Sequence, residues 1–162
     1  METKTDLNYL LVQTVKLLIL LVALTAMGFF MGLLPFAKSL PVLGSSIFVI
    51  DLWEALLSLT AIIIIINFAG ESKPVIDRLI CWIPQAGKLA GLIIYVFCVL
   101  FAYYAFQPVI LPFIPEAEWI YQTIFLILTI TLLVKAGLLV YRSSDEISRF
   151  LVSLLNPYKE KK

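Results

Sequence analysis

Two acidic residues, Asp51 and Glu54, have the clearest potential for chemistry in this sequence. They lie three positions apart in an apolar stretch, and this spacing places both carboxylates on one face of a helix. Ser58 continues that face one turn later. Ionisable groups inside a membrane segment are costly and tend to be functional, which favours a cation-attracting face. The structural alternative is that acidic residues in the first turns of a helix are stabilised by its dipole.

Two further acidic residues, Glu116 and Glu118, lie in a proline-rich stretch before a later apolar segment. If they share a side of the membrane with Asp51 and Glu54, that side carries four acids against the single cation Lys38. Such an excess would attract cations to the surface. The sequence therefore predicts a cation-binding outer vestibule that contains five residues, Asp51, Glu54, Ser58, Glu116 and Glu118.

The sequence lacks the residues that most kinds of enzymatic catalysis require. The chain has no histidine and two cysteines, Cys81 and Cys98, without a CxxC spacing. Histidine-ligated haem, histidine-bound zinc, Glu-x-x-His di-iron sites and Ser-His or Cys-His nucleophile pairs are thus excluded. Paired carboxylates can perform acid–base catalysis, but no nucleophile accompanies them. We expect a protein without enzymatic activity, cofactor or metal.

The composition indicates that lipid is the main solvent of this chain. Apolar residues make up 62% of the sequence and charged residues 14%, against about 45–50% and about 25% in soluble domains. The net charge of +1 gives no overall field that would recruit nucleic acid. We therefore expect the lipid bilayer as a partner and no binding to nucleic acid.

Four apolar stretches are long enough to cross a membrane, which takes about 20 helical residues. They cover about 17–34, 47–69, 89–106 and 120–141. Trp119 and Tyr121 are expected as anchors at the membrane interface. The predicted fold is an all-α membrane protein whose four transmembrane helices form two tandem helical hairpins.

Each hairpin is followed by a segment that is too polar to span. Residues 72–83 place Asp77 and Arg78 opposite an apolar side, and residues 143–155 show the same division with a 3.6-residue period. This pattern predicts two short amphipathic helices in the plane of the cytoplasmic interface. Arg78 and Arg149 are candidate contacts to anionic lipid headgroups, although a solvated polar face explains them equally well.

The two halves of the chain resemble one another in their polar residues. Gln13 and Lys16 recur 72 positions later as Gln85 and Lys88. This spacing suggests an internal duplication, with a first unit over 1–84 and a second over 85–162. The alternative is chance, because apolar segments always resemble one another.

Two GxxxG spacings are candidate sites of close helix packing, because glycines four apart share a face and let another backbone approach. The first lies at Gly28 and Gly32, and the second at Gly87 and Gly91.

The distribution of Lys and Arg predicts the orientation. Ten of these residues lie near the start, the middle and the tail, and one, Lys38, lies in the other two loops. The positive-inside rule then places both termini in the cytoplasm. The chain has no N-x-S/T sequon, and we expect a prokaryotic plasma membrane.

Two functions fit these features. The first is a homo-oligomer that forms or gates a cation path, since four helices barely enclose a path alone. The alternative is a non-catalytic accessory or scaffold subunit of a larger membrane complex. The face of Asp51, Glu54 and Ser58 discriminates between these two functions. A cation path requires water at this face, whereas a scaffold requires its side chains to be bonded as helix caps or paired with other residues.

Overall fold

The computed structural model describes residues 2–42, 47–80, 83 and 85–155, which are almost entirely helical. The elements in chain order are α1 (Glu2–Gly32), α2 (Pro35–Ser39), α3 (Val49–Leu79), α4 (Ala86–Ile110), two 3₁₀ turns (Leu111–Phe113 and Pro115–Ala117) and α5 (Glu118–Leu155).

The four long helices are apolar and long enough to cross a membrane, which confirms the predicted all-α, four-span class. The candidate spans run over Lys4–Gly32, Val49–Leu79, Ala86–Phe113 and Pro115–Ser144. The shortest has 28 residues, or roughly 42 Å at ~1.5 Å per residue. Each exceeds the ~30 Å hydrocarbon core, so each is long enough for its ends to reach the headgroup layers.

Consecutive long helices are antiparallel. Asp6 of α1 pairs with Arg78 of α3, and Gln13 of α1 forms a hydrogen bond with Glu71 of α3. Residue numbers therefore increase along α1 in the direction in which they decrease along α3. Tyr103 of α4 likewise meets Tyr121 near the start of α5. One end of the molecule, here called the loop end, therefore carries residues 33–42, 47, 48 and 111–117. The opposite end, called the terminal end, carries the start of α1, the end of α3, the start of α4 and the end of α5.

The helices pack in an open series within the described residues. α1 packs on α3, α3 on α4 and α4 on α5, while α5 makes no comparable contact with α1 or α3. As a result, the most apolar 18-residue stretch of α1 and that of α5 contain no buried residue within the part described. A single copy leaves long apolar faces open to the membrane.

The predicted in-plane helices are not separate elements. Residues 71–79 continue α3, with Pro74 inside it, and residues 143–155 continue α5. Pro74 removes one backbone hydrogen bond but does not end the helix here. No proline or glycine lies between Gly137 and residue 155, so the backbone of α5 has no local reason to stop. The amphipathic pattern of residues 143–155 describes the end of a long helix.

The division into units 1–84 and 85–162, and their pairing as two hairpins, stay predictions. α3 and α4 lie on opposite sides of the predicted boundary between residues 84 and 85. They pack on one another at least as extensively as α1 packs on α3 or α4 on α5. Arg149 lies in α5, but its side chain is outside the described residues, as are Cys81 and the tail after residue 155.

Candidate functional site

A groove of about 860 Å³ runs between α1 and α3 toward the loop end. Most of its lining is leucine, isoleucine and phenylalanine, with Phe101 contributed by α4. Its polar lining residues are Thr25 on α1, Lys38 on α2, and Glu54 and Ser58 on α3. The groove is therefore an apolar trough that carries one acid and one base.

Helical periodicity explains how the groove is built. Glu54, Ser58, Ala61 and Ile65 are spaced by four, three and four residues, so they form one stripe along α3. The opposing stripe of α1 contains Gly28. Ile50 lies on the same stripe one turn nearer the loop end, and from Glu54 onward the stripe changes from polar to apolar with distance from that end.

The first GxxxG pair lies in this groove. A Cβ added at Gly28 would lie 3.3 Å from Leu57 Cδ1, whereas one added at Gly32 would meet no described atom within 4 Å. Gly28 thus lies against α3, and Gly32 faces open space where the groove meets the loop end.

Asp51 lies at the start of α3 and caps it. The backbone N–H of Phe48 donates a hydrogen bond to Asp51 Oδ2 at 2.9 Å. This is the reach of an N3 acid back to the N-cap amide, which satisfies a donor that the helix cannot. The contact supports the structural interpretation of Asp51, whose side chain is not part of the groove lining.

Glu54 and Ser58 are differently placed. Glu54 is exposed, and in the described part of the chain it makes no ion pair with Lys38, although both line the same groove. The Ser58 hydroxyl likewise has no hydrogen bond to a described residue. The groove therefore presents a carboxylate, an ammonium and a hydroxyl that the described structure does not pair with one another.

Glu116 and Glu118 lie outside the groove. Glu116 is exposed in the second 3₁₀ turn, and Glu118 Oε1 accepts a hydrogen bond from Gln122 Nε2 at 2.9 Å. The groove thus collects Glu54 and Ser58 from the five predicted vestibule residues. Asp51, Glu116 and Glu118 are not in its lining.

The second GxxxG pair holds α3 and α4 together at the terminal end. A Cβ at Gly87 would overlap the carbonyl oxygen of Lys73 and lie 2.8 Å from its carbonyl carbon. A Cβ at Gly91 would lie 2.5 Å from Lys73 Cε. The GxxxG spacing predicted close packing at Gly87 and Gly91. It did not indicate that Lys73 is the residue in contact with both glycines.

Lys73 is held by an aromatic partner on α4. Its Nζ donates a hydrogen bond to the Tyr95 hydroxyl at 2.9 Å and lies 4.8 Å from the centroid of the ring. An ammonium this close to a tyrosine face gains a cation–π attraction. Beside it, Gly87 N–H donates to Asp77 Oδ1 at 2.8 Å, so Asp77 caps the start of α4.

Arg78 pairs with α1. Its Nη2 lies 3.0 Å from Asp6 Oδ1, and its side chain remains 61% exposed. Such an exposed pair is worth about 0–1 kcal/mol. A second polar link between the same helices joins Gln13 to Glu71 at 2.9 Å. These links tie the start of α1 to the end of α3, and the predicted contact of Arg78 with anionic lipid headgroups stays a prediction.

The α4–α5 contact is aromatic. The Tyr121 hydroxyl donates to the Tyr103 carbonyl at 2.6 Å, and the two rings stack with centroids 5.3 Å apart. Tyr121 is 5% exposed and packs against α4, whereas Trp119 is 65% exposed. The place of both residues at the membrane interface stays a prediction. Hydropathy alone did not distinguish the two residues.

Comparison of the chain with models of protein families, with curated proteins and with solved structures finds no match. Among the residues described, no three carboxylate or thiol groups come together as ligands for a metal ion.

Proposed function

We propose that this protein is a non-catalytic membrane subunit that packs sideways against other helices in a larger assembly. The observation that supports this most directly is the open series of helices among the described residues, in which α1 packs mainly on α3 and α5 mainly on α4. An arrangement that does not close leaves its terminal helices available to partners.

The surface of the terminal helix α5 suits close contact with another helix. No described atom lies within 4 Å of a Cβ added at Gly137 on α5. Small residues on exposed helix faces let a second backbone approach, and such approach drives association in lipid. Bulky side chains such as Val134 and Leu138, which are 54% and 53% exposed, flank this position.

The capped state of Asp51 also favours the accessory function. An outer vestibule for cations would use this carboxylate as a ligand, whereas in this structure its Oδ2 serves the helix cap by accepting the Phe48 N–H. Glu116 and Glu118 lie outside the groove. A single copy therefore offers fewer carboxylates for a cation path than the sequence suggested.

A cation path in a homo-oligomer is the second candidate, and Glu54 with Ser58 favours it. An ionisable side chain in an apolar groove requires water or a partner, because isolating its charge in lipid is costly. In a ring of several copies, these grooves would line the path. This function requires that the chain self-associates and that water reaches Ser58.

The decisive experiment is the mass and subunit composition of the complex after gentle extraction from the host membrane. Larger unrelated subunits beside this chain are expected from the accessory function. A particle made of several copies of this chain would contradict it and favour the cation path, to be tested by flux in liposomes. A lone copy would contradict both functions.

A further inference from the structure

We propose that the groove between α1 and α3 binds one glycerophospholipid whose headgroup carries both a phosphate and a primary ammonium. This inference does not depend on the proposed function, since it rests on the chemistry of the groove within one copy. Its basis is the combination of an apolar trough with two opposite charges, Lys38 and Glu54, among its lining residues.

The two charges complement a zwitterionic headgroup. Lys38 and Glu54 are both exposed, and the described residues show no ion pair between them. The ammonium of Lys38 suits the lipid phosphate, and the carboxylate of Glu54 suits the lipid ammonium. Hydrogen bonds between such charged groups are stronger than neutral ones. An anionic lipid without an amine would satisfy Lys38 and leave Glu54 unpaired.

The dimensions of the groove match one leaflet. From Glu54 to Ile65 the lining of α3 advances by eleven helical steps, or roughly 16 Å at ~1.5 Å per residue. Half of the ~30 Å hydrocarbon core is about 15 Å. The volume of about 860 Å³ lies within the roughly 300–1,000 Å³ of sites that hold small molecules. An acyl chain placed along this stripe would begin at the charged end and finish near the middle of the membrane.

Ser58 provides a third contact at the depth of the glycerol backbone. It lies one helical turn below Glu54, and its hydroxyl has no hydrogen-bond partner among the described residues. A phospholipid ester carbonyl is an acceptor without a proton of its own, so the hydroxyl can donate to it. From Glu54 away from the loop end, the order along α3 is thus charge, hydroxyl and apolar surface, which is also the order of groups along a phospholipid.

A lipid explains this order more simply than a partner helix does. A helix that filled the groove would cover Lys38 and Glu54, and it would need an acid and a base at matching positions to avoid unpaired charges. A phospholipid carries both counter-charges in one headgroup. The exposed side chains of Phe29 and Leu33 at the groove leave it open for a lipid to enter sideways.

The test uses the full chain in nanodiscs that contain equal amounts of dioleoyl phosphatidylethanolamine and dioleoyl phosphatidylglycerol. Native mass spectrometry then counts the lipids that stay bound. We expect one retained phosphatidylethanolamine per chain. Glu54→Gln should lower the ratio of retained phosphatidylethanolamine to phosphatidylglycerol about tenfold, the effect of a ~1.4 kcal/mol difference. Lys38→Gln should reduce the retention of both lipids.

Matched variants exclude indirect effects. Glu116→Gln removes an exposed acid outside the groove and should leave the lipid ratio unchanged. Gly32→Leu should fill the groove and abolish retention, whereas Gly137→Leu adds the same side chain to an open face of α5 and should not. Equal lipid ratios for Glu54→Gln and Glu116→Gln would overturn the proposal. So would a photocrosslinker at Phe29 that captures a polypeptide in the host membrane in place of phospholipid.

Discussion

At the residue scale, the same residue type serves opposite purposes according to its neighbours. Asp51 and Glu54 lie one turn apart on α3, yet Asp51 caps the helix and Glu54 lines the groove without an ion pair in the described structure. Glycines differ in the same way, because Gly87 lies against the backbone of Lys73 and Gly137 faces open space. The effect of a substitution therefore depends on what the side chain would meet.

The loss of stability caused by three glycine-to-alanine substitutions should depend on which atoms the new methyl group contacts. Gly87→Ala places it against the Lys73 backbone and should destabilise the fold by about 1–3 kcal/mol. Gly91→Ala meets the flexible end of the Lys73 side chain and should cost less, since that side chain can move. Gly137→Ala should be neutral or slightly stabilising, because alanine favours helix over glycine. Unfolding by denaturing detergent measures the ranking, and equal effects at Gly87 and Gly137 would contradict the α3–α4 contact.

Asp51→Ala should destabilise the protein by about 1 kcal/mol, because it leaves the Phe48 amide without its acceptor. Glu116→Ala is the control, since this exposed side chain should change stability by no more than about 0.5 kcal/mol. Thermal unfolding in detergent compares the two variants. If Asp51 serves mainly to attract cations, removing it would leave stability unchanged and alter only ion flux.

At the element scale, the long helices run past the boundaries suggested by polarity. α3 continues through Pro74, and α5 continues through residues 143–155. Local polarity indicates where a helix leaves the hydrocarbon core, but it does not end the helix. An end requires a break in backbone hydrogen bonding, as at the connection after Gly32.

A nitroxide scan along residues 138–148 tests the continuity of α5. We expect the accessibility of the probe to follow a 3.6-residue period without a change of phase, because the backbone is one helix throughout. The matched scan over residues 29–39 should show a break, since α1 ends at Gly32 and α2 begins at Pro35. A change of phase near residue 143 would restore the separate in-plane helix predicted from the sequence.

At the scale of the whole molecule, the open series of helices decides which functions are available. In the described structure the extensive contacts run from α1 to α3, from α3 to α4 and from α4 to α5, so one copy does not form a closed ring. The weak burial of the spans indicates that lipid or partners cover much of their apolar surface. Lateral association is therefore the property that both candidate functions share.

Spin labels at Val12 and Leu138, with Cys81 and Cys98 replaced by serine, test the open arrangement. Both positions are exposed on helices that do not pack on one another. We expect a distance well beyond the ~8–10 Å between packed helices. Labels at Gln13 and Glu71, which share a hydrogen bond, give the short control distance. A short distance between α1 and α5 within one copy would mean a closed bundle.

The sequence by itself determined the class of the protein. An apolar content of 62% and four long apolar stretches leave lipid as the only solvent that suits the chain, and backbone hydrogen bonding in lipid then requires helices. The glycine pairs were also visible, because a GxxxG spacing places small residues on one helix face whatever surrounds it.

Only the tertiary structure decided the partners of these residues. That Gly87 meets Lys73, that Tyr121 turns inward to Tyr103, and that Lys38 shares a groove with Glu54 depend on how separate helices approach one another. Hydropathy carries no such information, since every face of a membrane helix is apolar enough for lipid. The distinction between Asp51 and Glu54 has the same origin. Their spacing along α3 is a local feature of the sequence, but the groove that contains Glu54 and not Asp51 is formed by α1, α2 and α4 as well as α3.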